Sequence, residues 1–89
     1  MLQSNNYYQN LYRDLQDYRL FLQHYDWHIH NLEKWLKEIE EGKDDKKYEQ
    51  MVRDELRKIK LIKRAIEDEV DLINSILNEA SAEIEEQSN

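Results

Sequence analysis

The sequence predicts an all-α fold: an antiparallel coiled-coil hairpin of two long helices, dimerising into a four-helix bundle. Three observations carry this. Apolar residues in the first half recur at alternating spacings of four and three from Leu11 to Ile39 without a slip. A similar apolar stripe runs through the second half from Val52 to Ile84. The chain has no proline and one glycine, Gly42, which falls between the two stripes. Helix breakers are thus missing where helices are indicated and present where a turn is required.

In the first half, Leu15, Leu22, Ile29 and Leu36 fall at heptad position a, and Leu11, Tyr18, Tyr25, Leu32 and Ile39 at d; this is the seam of a coiled coil. Asn5 or Asn6 can cap its start, with Gln9 three residues after Asn6. Gly42 suits a left-handed turn at its end. Helix 1 is therefore expected over about residues 6–41, on the order of 50 Å long. A competing arrangement is a three-helix bundle with helix 1 broken near residues 26–31, because Asp, His, Asn and β-branched Ile are mediocre helix formers. The heptad phase crosses that stretch unbroken and argues against the break.

The turn is expected over residues 42–45, within "GKDDKK", with Asp44 or Asp45 capping helix 2 over about residues 46–84. The second seam runs through Val52, Leu56, Ile59, Ile66, Val70, Ile73, Leu77, Ala80 and Ile84, with Lys63 interrupting it at an a position. Tyr48, Ile62 and Ile76 lie at g and widen the stripe. Residues 85–89, "EEQSN", are polar and expected to fray. The whole chain, 1–89, reads as one helical domain. Two helices cannot surround a core, so the flanking apolar residues Phe21, Trp35, Ile62 and Ile76 are assigned to a homodimer interface.

A net charge of −7 disfavours direct nucleic-acid binding. No apolar run reaches the length of a membrane span. The N-terminal "MLQSNNYYQN" lacks the basic and apolar regions of a secretory signal, and there is no cysteine. Together these favour a soluble, cytoplasmic protein without membrane association.

All three histidines lie in "HYDWHIH", residues 24–30. His24 and His28 are four apart and share a helix face, whereas His30 is turned roughly 200° from His28. A zinc site needs three or four protein ligands, and one helix here offers two. No metal or cofactor site is assigned. His28, at g, flanks the interface, and His24 and His30 face water.

Leu20 and Trp27 both fall at f, opposite the seam. A large aromatic side chain has no internal role there, so these two residues are assigned to the docking of another protein. The charge of helix 2 points to a second surface. Residues 43–64 hold nine Lys/Arg and five Asp/Glu, a balance of +4; residues 65–89 hold no Lys/Arg and eight Asp/Glu, a balance of −8. This polarity opposes the helix dipole. The stripe of Arg53, Arg57, Lys60 and Arg64 could meet phosphate, but the acidic remainder opposes that. Two second helices packed antiparallel across a twofold would match basic half to acidic half, fixing register.

Catalysis needs convergent groups in a pocket, and two rods with one short turn offer none. No phosphate loop, nucleophile elbow or thiol is present. A helical dimer like chorismate mutase would need basic groups inside the bundle, and Lys63 is the only base on the seam. "KIKLIKRAIEDEVDLI", with the Tyr-rich first helix, looks like the coiled N-terminal part of some phage late-gene transcription activators. That likeness implies a coiled coil and no more, since the helix-turn-helix of those proteins is not in this sequence. The expectation is a small acidic, non-enzymatic protein-interaction module: a regulator, adaptor or inhibitor. The alternative is a phage- or mobile-element-encoded acidic inhibitor that occupies a nucleic-acid-binding site on a host enzyme, acting through Glu67 and Asp71.

Overall fold

The computed structural model describes the backbone of residues 2–88 and the side chains of residues 6–81. Helix α1 spans Leu2–Glu40 and helix α2 spans Glu49–Ser88, joined by a turn that contains one 3₁₀ turn, Lys46–Tyr48. The described residues contain no strand. The helices pack antiparallel into a rod of 66 × 21 × 15 Å. Helix α1 passes through residues 26–31 without interruption, so the three-helix arrangement is excluded. Tertiary packing of the unbroken seam outweighs the poor propensity of that stretch.

The seam buries two apolar clusters separated by a thinner middle. Near the open end, Leu15 packs with Ile73 and Leu77, supported by Tyr8, Leu11, Tyr18 and Val70. Near the turn, Ile39 packs with Val52 and Leu56, supported by Leu32, Trp35, Leu36 and Tyr48. Ile39 and Val52 are fully enclosed. Between the clusters Ile59 is buried, but Leu22, Tyr25, Lys63 and Ile66 are only half covered.

The end of α1 follows from Gly42, whose φ of 79° is the left-handed conformation that a Cβ disfavours. Its N–H donates to Ile39 O at 3.1 Å, and the Lys43 N–H donates to Glu38 O at 2.8 Å, the paired bonds of a Schellman cap. Asp45 then caps the 3₁₀ turn, its carboxylate accepting from the Lys47 N–H at 3.0 Å.

Three boundaries differ from the sequence reading. Helix α1 starts at Leu2, so Asn5 and Asn6 lie within it rather than capping it; Tyr8 and Leu11 pack on the open-end cluster and favour continuing the helix. The regular part of α2 begins at Glu49, after the 3₁₀ turn. At the far end α2 continues to Ser88, past the expected end at Ile84, because no glycine or proline stops it. The packing of Ile84 lies outside the described side chains.

Candidate interaction surface

Because α1 and α2 run in opposite directions, their g positions flank the seam on one side and their e positions on the other. The two sides differ in chemistry. On the e side, Arg53 donates to Glu40 at 2.9 Å across the helices and to Glu49 at 3.0 Å within α2. The bond to Glu49, with the charges of Glu49 and Glu40, raises the Arg53 pKa against partial desolvation. Lys63, seated at a, reaches Asp26 of α1 at 2.6 Å and Glu67 at 4.0 Å. Its hydrogen bond to Asp26 holds the ammonium above the ordinary lysine value.

The g side carries Phe21, His28 and Trp35 from α1, Tyr48 from the 3₁₀ turn, and Ile62 and Ile76 from α2, with exposed Asp14, Glu55 and Glu69 at the remaining g positions. Phe21 is 50% exposed and Ile62 45% exposed; His28, Trp35 and Ile76 are half-buried. Trp35 also has a role within the chain that sequence reasoning missed. Its indole Nε1–H donates to Asp44 Oδ2 at 2.8 Å, and its ring lies 5.6 Å from that of Tyr48. Asp44 Oδ1 accepts from the Asp45 N–H at 2.7 Å. Asp44 thus ties the aromatic end of the g side to the turn, instead of serving as the alternative cap.

Leu20 and Trp27 project from the ridge beside the g side of α1, at 64% and 61% exposure. Neither belongs to a buried cluster. The ridge is wider than these two residues. His24 stacks on Trp27, with centroids 6.2 Å apart and an interplanar angle of 18°. It meets His28 edge-on at 4.8 Å, and Trp27 meets His28 edge-on at 5.3 Å. His24 lies between Leu20 and Trp27 in sequence and on the same face, and its ring extends the aromatic surface of Trp27 toward His28. Among the described residues, no group of three or more His, Cys, Asp or Glu side chains could hold a metal. His30 is exposed.

Glu67 and Asp71 are exposed on α2. Glu67 sits near Lys63, while the backbone carbonyl of Asp71 accepts from Ser75 Oγ at 3.0 Å. On the basic half, Arg57 pairs with Asp54 at 2.8 Å and Arg53 with two glutamates, so part of the candidate phosphate stripe is already neutralised. Two shallow open grooves touch this region. One is lined by Asp54, Arg57, Lys58 and Leu61, the other by Leu36, Arg53, Leu56, Arg57 and Lys60. Neither contains a histidine or a hydroxyl or thiol nucleophile. Among the described residues, no helix is long and apolar enough to cross a membrane.

No protein-family model, curated protein or solved structure matches this chain.

Proposed function

We propose that this chain is a non-enzymatic protein-interaction module, a regulator, adaptor or inhibitor, that pairs with a second copy of itself and presents an aromatic ridge to another protein. The carrying observation is the Leu20–His24–Trp27 ridge. It is a contiguous, largely exposed apolar and aromatic surface that serves neither cluster of the hairpin core. Aromatic anchors of this kind dominate protein–protein binding energy when a partner covers them.

Self-association has separate support. Phe21 and Ile62 leave apolar surface open on one side of a thin hairpin, with the half-buried Trp35 and Ile76 beside them. A homodimer would cover that side and complete a four-helix bundle. A second reading of the external partner rests on the described part of the acidic segment, which carries Glu67, Asp68, Glu69, Asp71 and Glu79 with no Lys or Arg from residue 65 to 81. In that reading Glu67 and Asp71 occupy a nucleic-acid-binding site on a host enzyme.

One experiment separates the two. A partner is captured from native lysate and its binding measured for wild type, Trp27→Ala, Leu20→Ala and Glu67→Lys/Asp71→Lys. The aromatic reading expects Trp27→Ala to keep wild-type helicity and melting while losing ~2 kcal/mol or more of affinity. The acidic reading expects the charge reversals to abolish binding, high salt to weaken it, and Trp27→Ala to be silent.

A further inference from the structure

We infer that the second copy seats on the g side and lies antiparallel, with its turn end against the open end of the first. This rests on the self-association proposed above and fixes the direction of whole hairpins and the place of the twofold axis. The face follows from the unequal flanks of the seam. The e side is closed by cross-helix ion pairs, Arg53 with Glu40 and Lys63 with Asp26, and burying it would strip those charges of water. The g side holds no cross-helix ion pair among the described residues; it offers Phe21, Ile62, Ile76 and the ring faces around Trp35, with Asp14, Glu55 and Glu69 exposed between them.

The shape leaves surface to cover. A globular monomer of this mass exposes about 5,600 Å², whereas this elongated chain exposes 7270 Å², and a standard interface takes ~800 Å² from each partner.

The direction follows from charge. Residues 1–25 balance two bases against two acids, so the open end of the rod, residues 1–25 with 65–89, keeps the full −8 of the acidic segment. The turn end, residues 26–64, carries eleven bases and ten acids, a balance of +1. A parallel pair would set two −8 ends side by side. An antiparallel pair separates the two acidic ends and sets each beside the partner's turn end, whose balance is +1. The matching twofold lies in the plane of the interface and crosses the rod at right angles, near the sign change between Arg64 and Ala65. It stacks α1 on the partner's α1 and α2 on the partner's α2. The g residues nearest the axis are then Phe21 and His28 of α1 and Ile62 and Glu69 of α2, while Leu20 and Trp27 at f point away from the partner.

The chain has no cysteine, so a single nitroxide can be placed at exposed Gln50 through Gln50→Cys. Gln50 lies about 22 Å along α2 from the proposed axis. Pulsed dipolar spectroscopy on the dimer should give one distance near ~45 Å. A distance below ~25 Å, as two layered hairpins with neighbouring turns would give, overturns the antiparallel arrangement while leaving the dimer intact. A monomeric mass for the labelled protein overturns the self-association reading itself. The face is tested with Phe21→Glu and Ile62→Glu, which should weaken dimerisation tenfold or more, against Tyr12→Glu on the e side, which should leave it unchanged. The reverse ranking sinks the g-side assignment. Circular dichroism checks helicity in each variant, and the distance measurement does not depend on them.

Discussion

Lys63 is the one base in the hydrophobic seam, and its ammonium pairs there with Asp26. A polar residue at a specifies register at a cost in stability, and an apolar residue of similar size is commonly as stable or more so. Lys63→Leu should therefore raise the melting temperature at neutral pH. The gap should widen in alkali. The folded pKa of Lys63 is raised above its ordinary 10.5, so the contribution of the ion pair is fully present below that value and is lost as pH rises through the folded pKa. Paired melts at pH 7 and pH 11 check this; a Leu variant that melts lower at both contradicts it. Asp44 gives a second test at this scale. Asp44→Ala removes the acceptor of both the Trp35 indole and the Asp45 amide. It should cost about 1 kcal/mol, read by denaturant unfolding followed on tryptophan fluorescence. Neither contact was legible in the sequence. The Asp44–Trp35 bond joins residues nine apart across a turn, and heptad phase says nothing about geometry beyond the helix ends.

The helices themselves were legible, because an uninterrupted alternation of four and three leaves one solution for which residues face the seam. Leu15, Ile39, Val52, Leu56, Ile59, Ile73 and Leu77 are buried as their phase requires, and Leu20 and Trp27 are exposed as f requires. Termini were read less well. Asn5 and Asn6 offered a cap contributing only ~1 kcal/mol, and packing by Tyr8 and Leu11 extends the helix past it. Gly42 was read correctly because its backbone conformation is one that other residues resist. Gly42→Ala should cost about 1 kcal/mol through that conformation alone, since nothing lies within 4 Å of the new Cβ. The expected result is a lower urea midpoint with an unchanged slope; an unchanged midpoint contradicts the left-handed cap as the determinant of the turn.

At the scale of the whole molecule, the hairpin is a two-sided rod: cross-helix ion pairs close one flank of the seam, and the other leaves Phe21 and Ile62 open beside Trp35 and Ile76. The g positions were recognisable from phase. The contrast between the flanks became apparent only when Arg53 and Lys63 were seen reaching across to Glu40 and Asp26. A second copy on the open side would add hydrophobic burial to the seven buried residues of the described part of the chain, and small domains commonly need such added burial. Stability should then depend on concentration, since association favours the folded state by mass action. Sedimentation equilibrium across the micromolar range, paired with melts over the same range, tests self-association most directly. The expected result is twice the 11.0 kDa chain mass and a melting temperature that rises with concentration. A mass of 11.0 kDa throughout, with a cooperative melt that does not move, would contradict it.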